Sequence, residues 1–192
     1  MRYVSIDLET TGLNEDTCDI IEFGAVLDDL ANPKPLDSLP SFHCYFFQDK
    51  YSGEPFALSM HPIIFRRIAN REPGYTYMSA TKFGYAFRRF LVENGYEEKH
   101  DMVTINAAGK NFAAFDLQFL KRKTDLSKHV QIRHKILDPA ILYYRHDDIS
   151  LPSTETCKSR AGMDEKVAHD AINDAKDVVM LLRNGMQRLF RP

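Results

Sequence analysis

Asp7 and Glu9 stand two residues apart in a stretch, Tyr3 to Glu9, in which Val4, Ile6 and Leu8 alternate with Tyr3, Ser5, Asp7 and Glu9. Alternation with period two marks a strand, so both carboxylates are expected on one face, about 6 to 7 Å apart. Asp116 follows Phe112 by four residues and precedes Leu120 by four, which places it on the aromatic stripe of an expected helix rather than on the solvent side. Asp174, three residues after Ala171 and four before Val178, lies at the edge of the apolar stripe of the last helix. Four carboxylates are therefore expected to point inward, where each partly buried anion is costly and like charges raise one another's pKa. Lys110 is near in sequence, but no run of basic residues accompanies Asp7, Glu9 or Asp174. Oxygen-only donors select hard divalent ions such as Mg²⁺ or Mn²⁺. Carboxylates from several elements can hold two of them roughly 3.5 to 4 Å apart, a device for attack of water on a phosphoryl centre.

His169 is the candidate base. Inside a helix it would lie about 140° around the axis from Asp174, five residues on, and could not share a site with it. Asp170 is a good N-cap, however, and leaves His169 just outside the helix, free to turn toward the carboxylates. An imidazole can take a proton from an attacking water near neutral pH.

The elements that must position these residues follow from the pattern. Strand one is followed by the turn residues Thr10 to Asn14, a buried strand over Ile20 to Leu27, a proline-rich loop over 32 to 40, and a third strand through Phe42, Cys44 and Phe46. The short connections predict an antiparallel meander. Residues 55 to 70 read as one helix or as two short ones broken at Pro62. Phe83, Ala86, Phe87, Phe90 and Leu91 mark a helix that ends at Asn94-Gly95. Met102 to Ala107 reads as a fourth strand, Phe112 to Leu120 as a helical stripe, and Ile136 to Pro139 as a short strand stopped by proline. A polar loop is expected over roughly 146 to 165, and a final helix from about Asp170 to about Asn184. This order predicts a mixed α/β sheet with helices on both faces.

The carboxylates and His169 also sit in recognisable motifs. Asp7-Leu8-Glu9-Thr10-Thr11-Gly12-Leu13 resembles the first motif of the DEDDh (DnaQ-like) 3′–5′ exonucleases, the family of polymerase proofreading subunits, ribonuclease T and oligoribonuclease. Asn111-Phe112-Ala113-Ala114-Phe115-Asp116 resembles the second motif, with Asn111 one position further from Asp116 than in its commonest form. His169-Asp170-Ala171-Ile172-Asn173-Asp174-Ala175 resembles the third. The motifs occur in the family's order and span nearly the whole chain.

The resemblance implies a ribonuclease H-like mixed five-stranded sheet, an antiparallel meander plus parallel strands flanked by helices, as a single exonuclease domain over 1–192. It implies that Asp7, Glu9, Asp116 and Asp174 hold two divalent metal ions, Mg²⁺ or Mn²⁺, and that His169 activates the attacking water. Thr10, Thr11, Gly12 and Leu13 would cradle the terminal nucleotide, and the stretch from Ala57 to His61, with Met60 and His61, falls where the family often lines the base pocket. The implied activity is hydrolysis of single-stranded DNA or RNA from the 3′ end to nucleoside 5′-monophosphates. The alternatives are a non-catalytic ribonuclease H-like module that binds nucleic acid or a polymerase, and a two-metal phosphatase or phosphodiesterase, whose sites usually contain several His ligands. The expected partners are single-stranded nucleic-acid 3′ ends, with a homodimer or a polymerase partner left open.

Bulk features fit these expectations. The 192 residues carry 25 Lys and Arg against 27 Asp and Glu, a net charge of −2, which argues against a broad cationic face for duplex nucleic acid. Three widely spaced cysteines indicate neither a disulfide framework nor a thiolate zinc site and fit a reducing cytoplasm. No apolar run approaches the length of a membrane helix, and no signal peptide is read at the N-terminus. Among the remaining charged residues, Asp138 is read as structural, Asp177 as solvated, and Glu22 as a satisfied strand residue rather than a ligand. Lys158 and Arg160, in the loop before His169, are the favoured phosphate contacts; the other basic clusters are read as solvated faces.

Overall fold

The computed structural model describes residues 1–164 and 169–189. Strands β1 (Arg2–Thr10), β2 (Ile20–Asp29) and β3 (Ser41–Phe46) form the expected antiparallel meander, extended at one edge by β4 (Tyr77–Met78), parallel to β3, and at the other by β7 (Ala107–Ala108), parallel to β1. A smaller sheet has the order β5 (Glu98–Lys99), β6 (Met102–Ile105), β8 (Val130–Ile132). The helices are α1 (Pro55–Met60), α2 (Pro62–Asn70), α3 (Ala80–Glu93), α4 (Asp116–Lys123), α5 (Thr154–Ala161) and α6 (Ala171–Leu189). No helix among the described residues is long and apolar enough to cross a membrane.

The alternation in β1 sorts its residues between two cores. Val4, Ile6 and Leu8 join Phe23, Phe83, Phe87, Phe112 and Phe119 beneath α3 and α4. Tyr3 faces the other way, into a layer with Val26, Ala175, Val178, Val179 and Leu182 under α6. The polar face of β1 is therefore covered by a helix, and Ser5 satisfies its hydroxyl by donating to the Ala175 carbonyl at 2.8 Å. Burying each large apolar side chain contributes roughly 1.5 to 3 kcal/mol, which fixes α6 on this face.

Several elements differ from expectation. The single strand expected over Met102 to Ala107 divides at Asn106, where Val4 N–H donates to the Asn106 carbonyl and the Asn106 amide donates to the Arg2 carbonyl, both at 2.9 Å. Before this point the chain pairs with β8, after it with β1. The short strand expected over 136–139 is reduced to one parallel bridge, Ala108 to Leu137, because Pro139 opens a 3₁₀ turn. The edge strand β4 carries too short a pattern to be read. Within the loop expected over 146–165, residues 154–161 form α5, with Ser153 accepting from Thr156 N–H as its cap; residue 165 lies outside the described residues. Helix α4 begins only at Asp116, and α6 runs past Asn184 to Leu189. There Gly185 is a packing residue: a Cβ would come within 2.7 Å of Leu142. The break at Pro62 is as expected, and the end of α3 falls at Asn94-Gly95.

Candidate functional site

Asp7 and Glu9 occupy the C-terminal end of β1, opposite Gly24 and Glu22 of β2. Gly24 lets the start of α6 lie directly on the sheet, since a Cβ there would come within 2.3 Å of the Ala171 backbone. Helix α6 is capped from both sides. Asp170 accepts from Asn173 N–H at 3.3 Å, and buried Glu22 accepts from Ala171 N–H at 3.3 Å while its other oxygen lies 2.5 Å from His43 Nε2. Asp174, in the first turn, is thereby brought against β1. One carboxylate oxygen each from Asp7, Glu9 and Asp174 lie within 4.8 Å of one another.

Asp116 enters from the opposite side. It is the first residue of α4, is buried, and accepts from Leu8 N–H at 3.1 Å, a backbone group between the two β1 carboxylates. Asp138 supports the approach, as expected of a structural residue. It accepts from Asn111 N–H at 2.9 Å, and Asn111 adopts a left-handed φ of 55° at the start of the turn leading to α4. Asp116 does not belong to the three-carboxylate cluster, but its charge acts on Asp7.

The electrostatics of the cluster are dominated by burial and by repulsion between its carboxylates. Burial first, and then Asp116 and Glu9, push the Asp7 carboxyl well above the usual range. Burial, Asp174 and Glu22 push Glu9 up to about 9. Burial pushes Asp116 up to about 7 despite hydrogen bonds from backbone N–H groups. No Lys or Arg forms an ion pair with Asp7, Glu9 or Asp116 among the described residues. Three clustered carboxylates with a fourth beside them offer only oxygen, so the donor set fits a hard divalent cation, whose charge would offset both the repulsion and the desolvation.

The remaining expected site residues divide into supports and exposed groups. Thr11 is buried, its hydroxyl engaged with the Ser52 carbonyl and accepting from Asp19 N–H at 2.7 Å. Thr10 donates to the Gly12 carbonyl at 2.8 Å. A Cβ at Gly12 would come within 2.5 Å of Cys18 Sγ, so this turn is tightly packed. Leu13, by contrast, is 74% exposed, and its N–H donates at 3.3 Å to Glu54, the residue before α1, a helix that exposes Phe56 and Met60. His61, in the break between α1 and α2, is only 5% exposed, with Nε2 3.5 Å from Glu9 Oε2. His61 thus stands behind a carboxylate rather than on an open pocket wall. Burial and the neighbouring His169 both disfavour its protonation. His169 is exposed, immediately before the Asp170 cap, with a left-handed φ of 49°.

Two basic residues expected to contact phosphate are engaged elsewhere. Lys158 is buried and lies 2.5 Å from Asp177, so Asp177 is not simply solvated, and Arg160 grips Asp148 with both terminal nitrogens. Glu22 is satisfied as expected. Its partner His43 passed unnoticed, since no local pattern around His43 shows that its ring meets Glu22.

No family profile matches the chain, and no curated protein is similar to it in sequence. Solved structures are similar in fold. The chain superposes on E. coli exonuclease I in complex with a dT13 oligonucleotide with a TM-score of 0.64 and 18% identity, covering 98% of this chain and 42% of that one. It superposes on the zinc-bound form of the E. coli exonuclease I complex with single-stranded DNA with a TM-score of 0.61 and 17% identity, covering 99% and 41%. The chain thus spans less than half the length of these neighbours, and what it shares with them is the mixed five-stranded sheet flanked by helices, a ribonuclease H-like fold.

Proposed function

We propose that this chain is a metal-dependent 3′–5′ exonuclease domain of the DEDDh type, acting on single-stranded nucleic acid and releasing nucleoside 5′-monophosphates. The observation that carries this reading is the convergence of Asp7, Glu9 and Asp174, with Asp116 beside them, from one strand and two helices of the fold. The likeness to a nuclease fold supports it. Asp7, Glu9, Asp116 and Asp174 would hold the divalent ions, Mg²⁺ or Mn²⁺. When bound, such ions offset charge on a phosphate and make a neighbouring water more acidic.

The chain's own residues do the rest. His169, exposed beside Asp170, accepts the proton of the attacking water. It sits one residue before Asp170, at the head of the helix that carries Asp174 and that Glu22 and Asp170 cap. Exposed Leu13 and the half-exposed Met60 offer apolar surface to the terminal base and sugar, while Thr10, Thr11 and Gly12 keep the turn beneath Leu13 in place. His61 packs against Glu9 and limits how that carboxylate can turn.

Incubation with Mg²⁺ and 5′-labelled single-stranded DNA and RNA tests the reading. Stepwise shortening from the 3′ end is expected, abolished by Asp174→Asn. Binding without shortening would indicate the non-catalytic module, and undiminished cleavage by Asp174→Asn would overturn the site assignment.

A further inference from the structure

Away from the carboxylates, positive charge collects at the free edge of the smaller sheet. Among the described residues strand β8 pairs only with β6, and the chain continuing from it, Arg133-His134-Lys135, is exposed. A groove of about 530 Å³ separates this segment from α4, with Ala113, Leu117, Lys121, Ser127, Arg133 and His134 among its walls. A second hollow of about 740 Å³ shares Arg133 and His134 with it and extends to Lys135 and Thr104. Neither hollow is lined by a single Asp or Glu. Lys121, Arg133 and Lys135 form no ion pair among the described residues, whereas the next cations along α4, Arg122 and Lys123, lie 2.8 and 3.5 Å from Asp16 and Asp19. In a chain of net charge −2 this is concentrated, unmatched positive charge.

Tyr85, 48% exposed on α3, meets the His129 ring edge-on at 6.0 Å, with Arg88 over its face at 5.2 Å, and lies outside the walls of both hollows. On α4, Leu117 directly follows Asp116, and Lys121 stands about 7.5 Å along the helix axis from Asp116. The α4 wall of the groove therefore runs away from the helix end that carries Asp116. Cations on a free edge also discourage strand pairing, but that role accounts neither for Lys121 on the facing helix nor for the paired hollows.

We propose that this groove holds the sugar-phosphate backbone of single-stranded nucleic acid at nucleotides remote from the end being cleaved. The identity of the polyanion rests on the exonuclease reading above; the charge and shape do not. Cations along a groove grip the backbone of a single strand without reading its sequence, and each neutralised phosphate releases counterions.

The test is fluorescence anisotropy of a labelled single-stranded oligonucleotide with the full chain in chelator, where cleavage is halted and binding in the groove must persist. The triple variant Lys121→Ala, Arg133→Ala, Lys135→Ala changes only exposed side chains. It is expected to weaken binding and to lower the slope of log affinity against log salt by about 2, the value for three single-strand phosphate contacts. The charge-conserving Lys121→Arg, Arg133→Lys, Lys135→Arg is expected to restore both. Absent binding, or the same affinity and slope in the triple variant, overturns the groove. So does a triple variant that loses affinity for polyglutamate while keeping it for the oligonucleotide, which would assign the surface to an acidic polypeptide. Failure of the two readings is distinguishable. Wild-type protein that binds through the groove yet shortens no 3′ end overturns the exonuclease alone; shortening with unchanged binding in the triple variant overturns the groove alone.

Discussion

The layer between α6 and the sheet carries buried acidic residues at both ends, and the ends treat them in opposite ways. Near the C-terminal half of α6, Asp28 accepts from Arg183 Nη2 and Nε at 2.5 and 3.0 Å and from the Tyr3 hydroxyl at 2.8 Å. Burial pushes its carboxyl up, yet these bonds outweigh burial and hold it below the usual range. At the head of α6, Asp7 and Glu9 have no Lys or Arg partner among the described residues, and burial with mutual repulsion holds both well above that range. One end is a closed ion pair. The other keeps several carboxylates together at a cost to the fold, which is the signature of a site completed from outside.

The largest expected contrast comes from removing one acid at each end. Asp174→Asn is expected to lower the rate of 3′ cleavage by about a thousandfold or more, equivalent to about 4 kcal/mol, with the melting temperature little changed. Asp28→Asn is expected to do the reverse, costing about 3 to 5 kcal/mol of stability by stranding Arg183, while the Mg²⁺ dependence of the remaining folded protein stays as in wild type. Rate assays and denaturant titrations on both variants check this. A large stability loss in the first, or altered Mg²⁺ dependence in the second, would erase the distinction.

Gly24→Ala tests whether close packing of α6 builds the open end. The added Cβ meets backbone at Ala171, which cannot rotate aside, so a destabilisation of about 1 to 3 kcal/mol is expected together with weaker Mg²⁺ binding as Asp174 draws back from β1. Calorimetric Mg²⁺ titration measures the second effect. Glu22→Gln acts on the same helix end more gently. The amide can still accept from Ala171 but no longer carries charge beside His43, and a loss of about 1 to 2 kcal/mol is expected in denaturant unfolding.

A further contrast is a dependence on pH that has opposite sign at the two ends. With its pKa raised from 4.5 to about 9, Glu9 binds more protons folded than unfolded, so in chelator its contribution to stability falls as pH rises through that window. Asp28, with a lowered pKa, contributes stability above its unfolded value and loses it as pH falls through its folded one. Unfolding in chelator is expected to be easier at pH 9 than at pH 6, with excess Mg²⁺ removing most of the difference because ion and proton compete for the same oxygens. A Mg²⁺ effect equal at both pH values would sink this account.

The order of the elements, the antiparallel meander, the same-face pairing of Asp7 with Glu9 and the Asp170 cap before Asp174 were all legible in the chain, because each rests on contacts within a few residues. Asp138 was recognisable as structural because it precedes a proline. The course of Asn106 between two sheets, the edge strand at Tyr77 and the helix at Thr154 were not, since long-range partners rather than local pattern decide each of them. Lys158 and Arg160 looked available for phosphate until the fold brought Asp177 and Asp148 to them.

The sequence by itself offered which residues could serve as ligands and, for Asp7, Glu9 and Asp174, the elements on which they lie and the way they face, through periodicity and capping that need no knowledge of the fold. Only the tertiary structure decided which charges end up unmatched. Asp28 and Asp7 are both acids on adjoining strands, and nothing local tells them apart. Their difference arises because Arg183 lies 155 residues from Asp28 in the chain and yet beside it in space, whereas packing at Gly24 brings a third carboxylate to Asp7 and Glu9.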